Sequence, residues 1–168
     1  MSTRVIFLSQ LLLGYLAWLL YFRSYRRSKV QTQDPATTHR NIASLHSFRF
    51  FGLALLLPGL VGPELPARFV TVAAYGDFAT GLLALLALLT ARKRPLFQLF
   101  VVLFNLVGVA DILVDYVNAV RLDLPSVAGQ LGALYAIPVL YVPALMITHI
   151  VAFSLLLRPA PAPARAVI

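Results

Sequence analysis

A chain of 168 residues in which 60% are hydrophobic and 12% charged, with a mean hydropathy of +0.85, lies far from the roughly one-quarter charged composition of a soluble domain. That balance excludes an ordinary water-soluble globule and predicts an all-α bundle in a lipid solvent, with about five spans of about 20 residues each. The formal charge of +8 raises nucleic acid as a partner, but the basic residues lie at the ends of apolar runs, and the lack of cysteine excludes disulfides, thiolate metal sites and cysteine nucleophiles.

The first apolar run, Val5 to Phe22, is followed by Arg23, Arg26, Arg27 and Lys29 with no small-residue cleavage pattern between. This reads as a retained anchor over residues 1–22, because a signal peptide carries its charge before the apolar stretch. Residues 23–45 are polar and basic, and read as a cytoplasmic loop or short surface helix. A four-helix bundle is expected over 46–157. Its first span, Phe50 to Val61, is short, contains Pro58 and ends in Gly62-Pro63, so it crosses only if it starts near Ser47 with Arg49 snorkelling. Phe69 to Thr90 is a clear span closed by Arg92-Lys93-Arg94-Pro95, and Leu96 to Val120 is another. Leu131 to Leu157 is the last, and Pro138 and Pro143 predict either a kink or a shorter piece outside the main span. The Pro-Ala repeat within 158–168 is expected to be a disordered cytoplasmic tail.

Lys and Arg in the short connections set the orientation. The 23–49 segment, the 91–95 turn and the tail hold eleven of the fourteen basic residues, leaving Arg4, Arg68 and Arg121 on the other side. The positive-inside rule then places the N-terminus outside and the C-terminus inside a bacterial-type cytoplasmic membrane.

Three of the six acidic residues, Asp77, Asp111 and Asp115, fall inside predicted spans, where an ionised side chain is expensive and function is the default reading. Asp111, Asp115 and Asn118 recur at i, i+4 and i+7 and share a helix face with Gly108. Asp77 precedes Thr80 and Gly81, a polar and small stripe that admits a close neighbour. The two spans run in opposite directions, so Asp77 and Asp111 are expected at matching depth, as a cluster sharing protons. His149 and Asn105 lie at an inner depth, within reach of each other but beneath the Asp layer. His46 and Arg49 are expected at the cytoplasmic edge, on lipid headgroups. No metal is expected, since His-x-x-x-His, Glu-x-x-His and Cys pairs are all absent. A haem on His46 and His149 lacks support in their expected placement. No phosphate loop or Gly-x-Ser-x-Gly elbow occurs, and cofactors are not identified.

The motifs Arg49-Phe50-Phe51-Gly52, Gly76-Asp77 with Gly81, Asn105 through Gly108 to Asp111, and Val142-Pro143 before His149 resemble those of uncharacterised small multi-pass bacterial membrane proteins, over about Arg49 to Leu157. A looser likeness to DoxX-like four-helix membrane proteins rests on the Arg-x-x-Gly start. The resemblance implies a membrane bundle and supplies no activity.

Three functions fit these residues. The leading expectation is a protein that binds or transports a small or amphipathic ligand at the protonatable Asp cluster, its signature being a cavity that reaches the Asp layer. An accessory subunit is the alternative, with Asp77 and Asp111 paired inside the protein and no cavity between them. A lipid- or isoprenoid-modifying enzyme using Asp acid–base chemistry is the third. The expected partners are the lipid bilayer and either further copies of the chain or a larger membrane complex; nucleic acid is not expected.

Overall fold

In the computed structural model, residues 1–26, 30 and 32–158 are described, the side chains of 25 and 26 excepted. Part of the basic loop, including Arg27 and Lys29, and the Pro-Ala tail after Arg158 lie outside them. The described residues are helical with no strand.

Helix α1 (Thr3–Tyr21) starts at Ser2, whose hydroxyl caps the Val5 amide, and runs into a π turn over Phe22–Arg26. Only Phe7 and Gly14 are buried along it, while Leu12 and Leu13 are strongly exposed. Gly14 sits against the Val139 carbonyl, an approach that a Cβ would block.

Helix α2 (Pro35–Ser47) departs from expectation. Asp34 caps it by accepting the Thr37 amide at 3.1 Å, with Pro35 in its first turn. Thr38, His39, Ile42, Ala43, His46 and Ser47 are all buried, so this is no surface loop. The chain continues as a 3₁₀ helix over Phe48–Leu56 and leaves it before Pro58, which cannot continue the hydrogen-bond ladder. The expected α-helix over 50–61 is therefore absent. In its place, α2 and the 3₁₀ helix form one rod of roughly 37 Å at about 1.5 and 2.0 Å per residue.

That rod lies antiparallel along α3 (Ala67–Leu89). Arg40 reaches the Ala91 carbonyl at one end, Ala43 packs with Ala84 and Ala87, Phe50 meets Gly81, and Leu55 clusters with Phe69 and Val70 at the other. After the Thr90–Lys93 turn, α4 (Arg94–Arg121) returns along α3. Asp123, with a left-handed φ of 50°, accepts from the Ser126 hydroxyl at 2.6 Å and opens the short α5 (Leu124–Val127). A 3₁₀ helix (Ala128–Tyr135), bent at Gly132, and a π turn (Ile137–Tyr141) lead into α6 (Val142–Leu156). The last apolar run thus divides where Pro138 and Pro143 remove backbone donors.

Four helical stretches, Thr3–Ser24, Ala67–Leu89, Arg94–Arg121 and Ile137–Leu156, are long and apolar enough to cross a membrane. Two apolar clusters fill the interior. One, toward the Thr90–Lys93 turn, joins Ile42, Ala87, Phe97, Phe104 and Leu155; the other, toward α5, joins Leu55, Phe69, Ala73, Leu124 and Leu131. A band of buried polar side chains comes between them along α3 and α4.

Candidate functional site

The band is organised by Arg49, whose side chain is 1% exposed. Its Nε donates to Asp77 Oδ1 at 2.6 Å, its Nη2 donates to Asp111 Oδ2, and its Nη1 reaches the Gly108 carbonyl at 3.4 Å. One guanidinium thus ties the 3₁₀ segment to α3 and α4, using the planar fork that makes arginine suited to two carboxylates at once. The expectation that Arg49 lies on lipid headgroups is overturned, and so is that for His46, which is fully buried. Both follow from α2 starting earlier than expected, which draws the two residues into the middle of the rod.

Glycines make the room. Gly52 faces the Asp77 carboxyl and Gly76 faces that of Asp111, so a Cβ at either would overlap the acid. A Cβ on Gly81 would fall 2.7 Å from the Phe50 amide nitrogen, and one on Gly108 would fall 2.5 Å from His149 Nε2. The small residues of α3 and α4 therefore serve close approach to polar groups as well as helix packing.

Beside this ion cluster lies a histidine pair. The His46 and His149 rings are 4.1 Å apart between centroids and inclined at 48°, with Phe104 against both. Their tautomers follow from their partners. Asn105 Nδ2 donates to the Val101 carbonyl at 2.7 Å, which turns its Oδ1 toward His149 Nδ1 at 2.8 Å; that nitrogen must carry the proton. Thr148 spends its hydroxyl proton on the Ala144 and Leu145 carbonyls, both at 2.9 Å, so at 3.0 Å it accepts from His46 Nε2–H. His46 Nδ1 and His149 Nε2 are left as buried lone pairs without a hydrogen-bond partner among the described residues.

The other expected site residues divide. Thr80 is buried but donates to the Gly76 carbonyl at 2.9 Å, so it serves its own helix. Asp115 is half-buried one turn beyond Asp111, and its Oδ1 lacks a partner among the described residues. Asn118 is a further turn along and half-buried, and its backbone carbonyl accepts the Leu122 amide. His149 and Asn105 bond to each other, with Asn105 about 9 Å along α4 from Asp111 at 1.5 Å per residue, while His149 Nε2 lies against Gly108 between the two.

Two cavities flank the band. The first, about 210 Å³, lies toward α5 between α1, α3, α4 and α6; Phe7, Phe69, Ile112 and Leu134 form apolar walls, and Asp77, Asp115 and Tyr116 supply its polar groups. The Tyr116 hydroxyl pairs with that of Tyr15 on α1. The second, about 240 Å³, lies between α1, α2 and α6 and is bordered by Trp18, Phe22, Thr38, Asn41 and Thr148. No group of three or more His, Cys, Asp or Glu side chains is placed to hold a metal ion among the described residues.

Sequence reasoning missed Arg49 as the counter-ion. The signal was present, because buried acids call for a buried cation and Arg49 is flanked by Phe48, Phe50 and Phe51.

Fold and site together define a helical bundle with a buried Arg–Asp cluster between two cavities. The chain belongs to the DUF8737 family, described as a domain of unknown function, whose model matches residues 6–157 and so takes in the first apolar helix. No curated protein and no solved structure matches it.

Proposed function

We propose that this is a multi-pass protein of a bacterial-type cytoplasmic membrane that binds, and in exchange with protons transports, a small amphipathic ligand with a cationic head. The single observation that carries the reading is the 210 Å³ apolar cavity ending on Asp115 and Asp77. A cavity of about 150 Å³ with apolar walls already accepts a benzene-sized molecule. Apolar walls select an apolar body, and carboxylates accept hydrogen bonds, so the head must donate them. Charge narrows this further. Asp77 and Asp111 share one guanidinium while Asp115 Oδ1 has no partner among the described residues, and a ligand cation or protons balance the excess acid.

Strongly exposed leucines on α1 suit a lipid surface. The rod of α2 and the 3₁₀ helix supplies a fifth crossing alongside the four apolar stretches, its polar side chains turned inward. With the Thr90–Lys93 turn and Arg40 at the cytoplasmic end and Arg4, Arg68 and Arg121 at the other, the basic residues fit an N-terminus outside. The first cavity then opens toward the outer half and the second toward the cytoplasm.

The test is thermal unfolding in mild detergent with benzylamine and its neutral counterpart benzyl alcohol. The amine should raise the melting temperature of the wild type more than the alcohol does, and Asp115→Asn should abolish that difference. Equal shifts from both compounds, or an amine shift that survives in Asp115→Asn, would overturn the reading. An accessory-subunit role has one observation in its favour, the pairing of Asp77 and Asp111 by Arg49, and it predicts that neither compound binds. The enzyme reading has less support, because His149 does not border the cavity that holds Asp115.

A further inference from the structure

We propose that His149 and His46 form a proton relay between the Asp cluster and the second cavity, along which protons move whether or not a ligand occupies the first cavity. This rests on the binding site above but is carried by a different pair of residues.

A buried acceptor without a donor is rare because it forfeits its hydrogen bond to water, and here two lie in one ring pair. Neither is an accident of side-chain choice at a surface: both rings are 0% exposed, and each has its other nitrogen fixed by a specific partner. Asn105 and Thr148 hold the two rings in tautomers that leave one basic nitrogen open on each. Imidazole is the side chain suited to taking up and releasing a proton near neutral pH.

The placement gives the relay two ends. On the first side, His149 Nε2 lies against Gly108, whose carbonyl holds Arg49 and through it Asp77 and Asp111. On the other, His46 Nε2–H meets the Thr148 hydroxyl, and Thr148 borders the second cavity. A proton leaving a carboxyl adds to the bare Nε2 of His149, making an imidazolium. The same Nε2–H bond then breaks as an N–H forms at Nδ1 of His46. His46 releases a different proton, from Nε2, to the Thr148 oxygen, while the Thr148 hydroxyl proton leaves its hydrogen bonds to the Ala144 and Leu145 carbonyls and passes to solvent in the second cavity. One proton enters and one leaves, and His46 is left carrying its proton on Nδ1 in place of Nε2.

The groups facing the pair suit this task. From the 3₁₀ segment comes Arg49, from α3 Thr80 with Asp77 beyond it, from α4 Asn105, Phe104 and Asp111, and from α6 Thr148. Arg49 disfavours a proton resting on either ring, so the imidazolium is passed on rather than held. Gly108 is the position where any side chain would shut the approach to His149 Nε2.

The experiment uses the full chain in phosphatidylcholine–phosphatidylglycerol vesicles loaded with a pH-sensitive dye, with an imposed pH gradient and valinomycin to clamp the potential. Wild-type vesicles should lose the gradient faster than protein-free ones. His149→Phe should fall to the protein-free rate. Because that variant leaves Asn105 without its partner, Thr148→Val serves as a second, nearly isosteric one; it keeps both imidazoles and should also slow the flux. Wild-type flux at the protein-free rate, or full flux in a folded Thr148→Val, would overturn the proposal. Amine binding that depends on Asp115 without proton flux would leave the binding reading standing and remove this one alone.

Discussion

Replacing Arg49 with methionine is the most informative single perturbation, because one side chain holds three segments together. Its guanidinium is 1% exposed and bonded to Asp77 and Asp111, whose side chains are themselves 12% and 5% exposed. Methionine fills a similar volume but leaves both acids without a cation. Removing one partner of a buried ion pair typically costs about 3–5 kcal/mol, chiefly through the charge left behind. At roughly 2–4 °C per kcal/mol for a chain of this length, Arg49→Met should melt ~6–20 °C below wild type. Circular dichroism in mild detergent reads the transition globally. The triple variant Arg49→Met, Asp77→Asn, Asp111→Asn then separates lost packing from unpaired charge, since it removes the ions together. It should recover much of the fall, as replacing a whole buried ion pair is far milder than breaking it. A single variant that melts at the wild-type temperature refutes the argument that Arg49 holds the bundle, and a triple variant no better than the single one refutes the role of charge.

Other outcomes follow from the same geometry. Gly81→Ala sets a Cβ 2.7 Å from the Phe50 amide nitrogen, which is backbone and cannot swing aside, so it should lose about 1–3 kcal/mol in the same melt. Gly129→Ala meets open space and should leave the melting temperature unchanged or slightly higher. Tyr116→Phe removes the hydroxyl pair with Tyr15 and should lower stability by about 1 kcal/mol while keeping the fold by circular dichroism. Asp123 is held below the usual carboxylate range by the Ser126 hydroxyl, with Arg4 adding to the effect. Its contribution is therefore present above that range and lost as pH falls through the folded value, so melts of wild type and Asp123→Asn should differ at neutral pH and converge below about pH 4. A gap that persists in acid would show that the carboxylate charge is not its source.

The elements legible in the sequence are those whose outer surface is uniformly apolar. Helices α3 and α4 carry apolar side chains around most of their circumference, and the Arg92-Lys93-Arg94-Pro95 signal marks the turn between them within a few residues. The division of the last run was open to reading too, because Pro138 and Pro143 cannot donate to a helix ladder. Helix α2 was not legible, for a physical reason. Hydropathy scores a segment as though every side chain met the solvent, yet Thr38, His39, His46 and Ser47 are buried in the protein, where neighbouring helices replace that contact. A rod that is polar inside and short of apolar residues in its first half looks like a loop when judged by average composition.

That one misplaced boundary accounts for most of what the sequence reading missed in the site. Starting the helix at Ser47 sets His46 and Arg49 at its end, where snorkelling is the natural reading for an arginine. Starting it at Pro35 moves both residues twelve positions deeper along the rod, Arg49 to the level of Asp77 and Asp111 and His46 to that of Thr148 and His149. The acids themselves were legible, since their i, i+4 spacing and the opposed directions of α3 and α4 fix a shared face and depth without knowledge of any neighbour. The missing cation is a different kind of inference, because it depends on which other segment packs against α3 and α4. Charge balance offers a way to recover it. A cluster of acids in a low-dielectric interior needs a partner, and of the fourteen basic residues Arg49 alone is followed by an apolar run and preceded by the capping pattern Asp34-Pro35 at one helix length. Read from the charge outward rather than from hydropathy inward, the same residues place α2 in the bundle and Arg49 between the two aspartates.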